Sequence, residues 1–211
     1  MPKGALNSAP IERRGWCIFE RRLSSVRKDG DCCLNLSGLA NVDRPTWFDL
    51  VIACKAGRYA PQAPDAFEAM LKAGMEREAA EAGSGFRFTN GKDATAICIP
   101  QYKEGFLRLM AKEGLLGFFK CGWGDAEVRE LAAALAYAHA AGATTQAEFL
   151  DLGGNKLTDA SVPVLVELLA SGAVPKLEVL GVSGNFKLSA SAKEELYAAG
   201  KARGDGFFVF A

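Results

Sequence analysis

The sequence predicts an α/β protein whose C-terminal half contains a parallel sheet with outer helices, preceded by a mainly helical α/β segment. The main observation is a repeat. Leu150, Leu152 and Asn155 have the spacing of a short strand followed by a turn, and the same pattern returns thirty residues later at 180–185. An apolar helical stretch follows the turn in each case. One strand–turn–helix unit cannot bury its own apolar face, so the units are expected to stack.

The region before residue 115 is predicted to be mainly helical. Apolar residues at i, i+3 and i+7 predict a helix that starts near Trp16, and Thr46 can cap a second helix. A third helix is expected from Asp65 to about Gly74, and the charged, alanine-rich residues 76–85 are expected to be mobile. The predicted division of the chain is a flexible leader over 1–12, a helix-rich α/β region over 13–114 and a repeat region over 115–211.

Two short strands are expected in the same region, at 32–36 and 86–88. The turn at 89–93 then leads into a helix that Pro100 should kink or split, because proline has no backbone N–H to donate. Asp93 is expected to cap the start of this helix. An anion-binding loop at a helix N-terminus is the alternative interpretation of 90–93.

An offset of 34 residues extends the repeat toward the N-terminus, since it aligns 116–121 with 150–155. Three units are therefore predicted, at about 115–144, 145–175 and 176–204. An asparagine amide can satisfy backbone groups that a bend leaves open. The turn residues of the three units are therefore expected to be structural: Cys121, Asn155 and Asn185.

The apolar C-terminus is predicted to be a further strand. Phe208 and Phe210 lie 28 residues after Leu180 and Val182, which are inward positions of the third unit. This spacing predicts a terminal parallel strand over 207–210, paired with 180–182, in which both phenylalanines face the core. Positions 207 and 209 are then expected to face outward.

The pattern L-x-L-x-x-N-x-L that starts at Leu150 resembles the core of a leucine-rich repeat. A repeat length of 28–34 residues with long helices resembles the ribonuclease-inhibitor-like class. The resemblance covers about the last 95 residues and implies a short solenoid whose concave strand face binds another protein. The corresponding partner-binding residues are Glu148, Phe149, Asp151, Gly153, Glu178, Val179, Gly181 and Ser183.

Residues 14–20, Arg-Gly-Trp-Cys-Ile-Phe-Glu, form the clearest motif outside the repeats. They resemble the W-C-x-x-E helix start of TIR-type signalling domains. The resemblance implies that Glu20 would contact the ribose of a nicotinamide dinucleotide and support its cleavage. A TIR domain has several strands before this motif, whereas this chain has only the residues before Trp16. The alternative interpretation is a packing helix, with Trp16 in the core and Glu20 at its solvent edge.

Composition and charge argue against several classes of function. The net charge is zero, so nothing in the overall composition favours nucleic-acid binding. The six cysteines form no C-x-x-C pairs and have no histidine partners at zinc spacing. Free thiols in a reducing, cytoplasmic compartment are therefore expected, with no metal and no cofactor. No apolar run in the sequence is long enough to span a bilayer, and no membrane association is expected.

The residue patterns favour a non-catalytic interaction module that binds another protein. Two alternatives stay open: a reduced TIR-like NAD hydrolase that uses Glu20, and a truncated product with no independent activity. His139, the only histidine, has no candidate catalytic partner and is expected to be exposed or half-buried. Four helix carboxylates are expected to face solvent, whereas paired acid–base catalysis needs a closed cleft: Glu127, Glu130, Glu194 and Glu195.

Overall fold

The computed structural model describes residues 9–27, 46–54, 58–112 and 114–211. Over these ranges the chain is an α/β protein with seven α-helices and a four-stranded parallel sheet. The predicted strand at 32–36 and the first eight residues of the predicted leader lie outside the described residues. The helices are α1 Gly15–Arg27, α2 Trp47–Cys54, α3 Pro64–Ala80, α4 Ile99–Met110, α5 Asp125–Ala140, α6 Val162–Ala170 and α7 Ala190–Arg203. The strands are β1 Leu115–Gly117, β2 Phe149–Asp151, β3 Val179–Gly181 and β4 Phe208–Phe210.

The four strands lie side by side in chain order, and every pair is parallel. Leu116 of β1 pairs with Leu150 of β2, which in turn pairs with Leu180 of β3. The predicted order and register of these three strands are therefore confirmed. All three leucines are buried, because alternate strand residues point to the same face. Each of these three strands is followed by a helix, α5, α6 or α7, whose buried apolar residues join the same core.

The terminal strand forms as predicted, but its predicted register is wrong by one residue. Val209, and not Phe208, pairs with Leu180. Phe208 and Phe210 are 58% and 57% exposed, whereas Phe207 and Val209 are partly buried and pack against the core. The two phenylalanines that were expected to cover the end of the core therefore lie on the opposite, outward face.

Gly200 of α7 provides the physical reason for this register. A side-chain carbon at Gly200 would lie 2.7 Å from a methyl group of Val209 and 2.9 Å from the ring of Phe207. The missing side chain therefore makes room for these two residues on the inner face. The guanidinium of Arg203, one turn further along α7, also lies 5.3 Å from the centre of the Phe207 ring.

The predicted helices near Trp16, Thr46 and Asp65 are confirmed by α1, α2 and α3. Thr46 caps α2 as predicted, because its hydroxyl oxygen accepts from the Asp49 N–H at 3.3 Å. The carboxylate of Asp49 accepts in return from the N–H of Thr46 at 3.0 Å. This reciprocal pair is a capping box, which fixes the start of the helix.

The predicted mobility of the segment after Gly74 is wrong for residues 76–80, which form the last part of α3. The carboxylate of Glu78 accepts from Arg13 at 2.8 Å and from the N–H groups of Gly83 and Gly85 at 3.0 and 3.1 Å. The hydrogen bond from Gly85, together with those from Gly83 and Arg13, lowers the pKa of Glu78 although desolvation opposes it. These three partners, of which Arg13 is distant in sequence, fix a stretch whose composition alone indicates a solvated loop.

The entry to α4 differs in part from the prediction. Residues Ala94–Cys98 form a π-helical turn that continues without a gap into α4, whose second residue is Pro100. The helix is therefore not split at the proline, but its hydrogen-bonding pattern changes from π to α beside it. The predicted cap at Asp93 is wrong, because its side chain makes no capping bond. Its carboxylate instead accepts from the indole N–H of Trp16 at 3.0 Å. The predicted strand at 86–88 is reduced to one isolated bridge, which Arg87 forms with the residue before α1.

Arg58 joins the helical region to the first strand unit. Its side chain is buried and donates to the carbonyl oxygens of Ser25 at 2.8 Å and Gly117 at 2.7 Å. Its guanidinium also lies 4.5 Å from the centre of the Phe118 ring. The indole of Trp123 donates back to the carbonyl of Arg58 at 2.6 Å. The two regions consequently share one continuous hydrophobic core.

Candidate functional site

The outward face of the sheet carries a row of apolar side chains, one from each strand. Leu115, Phe149, Val179 and Phe208 occupy equivalent register positions in β1 to β4. We call these four residues the apolar row. Leu115 and Phe208 are exposed and the other two are half-buried. The sheet is therefore covered by helices on one face and open to solvent, with apolar side chains, on the other.

Six of the eight predicted partner-binding residues are at least partly accessible to solvent. Glu148, Glu178 and Ser183 are exposed, and Phe149, Val179 and Asp151 are half-buried. The other two, Gly153 and Gly181, lie on the same face but are buried.

Neighbouring side chains cover these two glycines. The ring of Phe119 lies 3.1 Å from the position that a side-chain carbon of Gly153 would take, and the Phe149 ring lies 3.6 Å from the corresponding position of Gly181. The Asp151 carboxylate accepts from the N–H of Gly153 at 2.8 Å, which fixes its orientation. The glycines thus provide space for Phe119, Phe149 and Asp151.

Four further exposed apolar residues belong to this face and are absent from the sequence-based list: Leu115, Phe119, Phe208 and Phe210. The 34-residue offset aligns Leu115 with Phe149 and Phe119 with Gly153. The alignment of the first unit could therefore have assigned Leu115 and Phe119 to this face. No comparable signal existed for Phe208 and Phe210, because all four residues of 207–210 are apolar and alternation cannot assign a face.

The strand positions of this face carry one charged residue. Among the outward positions of the four strands, every residue is apolar or glycine except Asp151. Glu148 and Glu178 precede β2 and β3 and add negative charge at the edge where the strands begin. Lys120 lies beyond the opposite edge, and its ammonium group lies 5.1 Å from the centre of the Phe119 ring. The face is therefore apolar with an acidic centre and one acidic edge.

The asparagines at the predicted turns link each unit to the one before it. The amide nitrogen of Asn155 donates to the carbonyls of Phe118 at 2.8 Å and Leu152 at 2.9 Å, and its oxygen accepts from the N–H of Trp123 at 3.0 Å. Asn185 repeats this arrangement one unit later, since its oxygen accepts from the Leu157 N–H at 3.0 Å. Both asparagines are buried, so these bonds are shielded from water.

Asn185 completes the same pattern of carbonyl contacts. Its amide nitrogen donates to Val182 at 2.7 Å and to Leu152 at 3.0 Å. Cys121, the turn residue of the first unit, is also buried, and its thiol lies 3.8 Å from the Phe119 carbonyl. In that unit Arg58 donates to the strand carbonyl of Gly117. A residue from the helical region thus bonds to the first strand.

Aspartates at the helix starts form a second link between units. Asp125 accepts from the N–H and hydroxyl of Thr158 at 2.9 and 2.7 Å, and also from the hydroxyl of Ser161. Burial alone would raise the pKa of Asp125, but the bonds from Ser161 and Thr158 outweigh it, so that the pKa lies below its ordinary value. Asp159 is the equivalent residue of the next unit and accepts from the Ser189 N–H at 2.8 Å.

Glu20, the candidate catalytic residue of the alternative function, is exposed on α1. Trp16 of the same motif is half-buried and hydrogen-bonded to Asp93. Burial raises the pKa of the nearby Cys98 thiol to about 11, and the charges of Asp93 and Glu20 add to this effect. A thiol with a raised pKa is a poor nucleophile at neutral pH. Among the described residues, Glu20 thus lies on the solvent side of α1, as the packing-helix interpretation expects.

The remaining titratable candidates have structural surroundings. His139 is exposed, and its Nδ1 lies 2.9 Å from the hydroxyl of Thr144. Glu194 and Glu195 face solvent as predicted, but Glu127 and Glu130 are half-buried, which corrects the prediction for this pair. Glu127 accepts from the Gly124 N–H at 2.7 Å and so caps α5.

Glu130 connects α5 to α1. Its carboxylate lies 3.9 Å from the guanidinium of Arg22, across the boundary between the helical region and the sheet. Burial, helped by the charge of Glu127, raises the pKa of Glu130 although Arg22 opposes this. The Glu130 side chain is still 42% exposed, so it lies at the edge of this boundary and not within the core.

Comparisons with protein families, with curated proteins and with solved structures found no match for this chain. In the part of the chain that the structure describes, no helix is both long and apolar enough to cross a membrane. The same residues contain no cluster of three or more histidine, cysteine or carboxylate side chains that could hold a metal ion.

Proposed function

We propose that residues 115–211 form a short leucine-rich-repeat solenoid, and that the protein is a non-catalytic module that binds another protein through the outward face of its sheet. The observation that carries this proposal is the apolar row. Contiguous exposed apolar patches are uncommon on folded proteins and mark interaction sites. Here four strands each add one apolar side chain to a single open face, and Phe119 and Phe210 extend it.

The repeated roles of equivalent residues support the solenoid. Asn155 and Asn185 make corresponding hydrogen bonds one unit apart, and Asp125 and Asp159 do the same at the helix starts. Such nearest-neighbour links are what stacked repeats require, since each unit completes the one beside it.

A cytoplasmic location is also part of the proposal. Among the described residues, Cys17 and Cys98 are thiols that form no disulfide bond. Free cysteines persist in reducing compartments, whereas oxidising compartments favour disulfides.

Two matched substitutions test the binding face. Phe208→Asp places a charge in the apolar row, and Tyr197→Asp places one at an exposed aromatic residue of the outer helix α7. Both variants should keep the melting temperature of the wild-type protein within a few degrees, because both side chains are exposed. Proteins captured from the source cells would be quantified for each variant, with a photo-cross-linker at Phe210 to identify direct neighbours.

We expect at least one captured protein to cross-link at Phe210. The recovered amount of that protein should be unchanged with Tyr197→Asp and should fall at least about tenfold with Phe208→Asp. Equal recovery with both variants would show that binding does not involve this face. Incubation of the protein with NAD tests the enzymatic alternative. Release of nicotinamide by the wild type that disappears in Glu20→Ala would overturn the non-catalytic assignment.

A further inference from the structure

The charge pattern of the outward face restricts the chemistry of its partner. Asp151 is the one charged residue at the outward strand positions, and it lies in β2, between Gly117 of β1 and Gly181 of β3 in the register. One carboxylate oxygen accepts from the N–H of Gly153 at 2.8 Å. Because the residues paired with Asp151 in β1 and β3 are both glycines, no side chain at these two paired positions lies between Asp151 and a ligand on the outward face.

A partner that covers this face must satisfy Asp151. A carboxylate that loses water without gaining a partner destabilises a complex strongly. Glu148 and Glu178 add two more negative charges at the edge where β2 and β3 begin. The outward strand positions themselves offer no cation to any of the three. The complementary ligand therefore carries positive charge at the centre of its apolar surface and toward that edge.

The dimensions of the face favour a helix as the docking element. Each strand has three residues and is therefore about 10 Å long, which is the diameter of an α-helix with its side chains. The four members of the apolar row span three strand spacings, about 14 Å, which corresponds to about ten helical residues. The helical pitch of about 5.4 Å is close to the strand spacing of about 4.8 Å, so apolar residues every three or four positions would meet one strand each.

We propose that the docking element of the partner is an amphipathic helix of about three turns that lies across the four strands, with an arginine or lysine on its apolar surface directed at Asp151. This inference rests on the proposed function, because it specifies the ligand of the same face. Leu115, Phe149, Val179 and Phe208 contact the apolar side of the helix. Glu148 and Glu178 face its basic flank.

Four synthetic twelve-residue peptides test both parts of the inference. Two are stapled helices with leucines at helical spacing, one with a central arginine and one with citrulline, which has nearly the same shape but no charge. The third is the arginine peptide with two of its residues replaced by proline, so that it cannot form a helix. The fourth is a stapled arginine helix whose leucines are redistributed around all sides. Binding to the full chain is measured by fluorescence anisotropy at low and moderate salt.

The arginine helix is expected to bind about tenfold more tightly than the citrulline helix, because a charge-assisted bond replaces a neutral one. In Asp151→Asn this preference should vanish, because the neutral amide offers no charge for the arginine to pair with. The asparagine oxygen can still accept from the Gly153 N–H, so the variant tests charge without removing the bond that orients the side chain. Phe208→Asp should weaken the binding of the arginine and citrulline helices. The proline-containing and redistributed peptides should bind the wild type at least about tenfold more weakly than the arginine helix does.

The possible failures separate the two proposals. Equal affinity for the arginine and citrulline helices, or a preference that persists in Asp151→Asn, would overturn the role of Asp151 and leave the binding face intact if Phe208→Asp still weakens both. Equal binding of the proline-containing peptide would overturn the helical ligand. Binding that is unchanged by Phe208→Asp would overturn the face itself. A dimer of the protein alone that Phe208→Asp dissociates would show that a second copy occupies the face, and would also overturn the inference.

Discussion

Replacing Asn155 by alanine should destabilise the protein by several kcal/mol, although the change removes only a small polar group. The side chain is buried and joins four backbone groups in two units. Two of these keep another partner in the variant: the Leu152 carbonyl accepts from Asn185 at 3.0 Å, and the Gly153 carbonyl accepts from the Lys120 N–H at 2.9 Å. The N–H of Trp123 and the carbonyl of Phe118 lose the bond that Asn155 provides.

The magnitude follows from these two buried groups. A buried donor or acceptor left unsatisfied costs about 1–3 kcal/mol, so two of them predict a loss of about 2–6 kcal/mol in the free energy of unfolding. The neighbouring Lys156 is exposed, and its replacement by alanine should change stability by less than about 0.5 kcal/mol. Lys156→Ala therefore serves as the control at the same turn.

Urea unfolding followed by circular dichroism would measure both variants. A loss below about 1 kcal/mol for Asn155→Ala would refute the reasoning, since it would mean that water or relaxed backbone geometry replaces the amide without penalty. An equal loss in Lys156→Ala would point to a general sensitivity of the turn instead of the hydrogen bonds of Asn155.

Three further predictions test the core, the terminal strand and the pH dependence. Leu152→Ala should lower the free energy of unfolding by about 2–5 kcal/mol in the same urea assay, whereas Ser183→Ala at an exposed position should have almost no effect. Gly200→Ala should destabilise by about 1–3 kcal/mol despite the higher helix propensity of alanine, and a second change, Val209→Ala, should recover part of this loss in thermal melts; no loss at all would contradict the observed register of β4. Asp125 has a lowered pKa because hydroxyl hydrogen bonds outweigh the opposing effect of burial. Its ionised form should therefore stabilise the fold above about pH 4, and this contribution should disappear as the pH falls through the folded-state pKa, so that melting temperatures of wild type and Asp125→Asn converge toward pH 2.

The repeated part of the fold could be predicted from sequence because its information is local. Leu150 and Leu180 occupy the same place in a short pattern, and in parallel pairing the equivalent leucines become register partners. An asparagine that follows such a strand has few ways to satisfy the backbone at the bend other than with its own amide. The register of three strands therefore follows from spacing alone.

The errors have a common physical cause, which is dependence on tertiary contacts. At the C-terminus every position from Phe207 to Phe210 is apolar, so alternation cannot decide the face, and the missing side chain of Gly200 decides it instead. The helix over 76–80 is fixed by Arg13, and the carboxylate of Asp93 is taken by Trp16. These partners lie more than sixty residues away in sequence, where local pattern carries no information about them.

The candidate binding face could likewise be predicted only in part from the sequence. Its predicted strand residues in the second unit lie on the outward side, because outward positions follow directly from the register. Its apolar character depends on Phe208 and Phe210, whose faces only the tertiary packing determines. The importance of Asp151 likewise follows from its glycine neighbours in adjacent strands, which the sequence order does not bring together.

The hydrogen bonds of Asn155 and Asn185 make each unit depend on the unit that follows it in the chain. Each asparagine reaches back to the preceding unit, so Asn185 of the third unit protects the Leu157 N–H of the second. Transient opening of the third unit therefore removes a partner from the second, while the first unit also has contacts with Arg58. Amide hydrogen exchange should accordingly show a gradient, with the slowest exchange near β1 and progressively faster exchange toward β4. The face that meets a partner would be most rigid at Leu115 and most adaptable at Phe208.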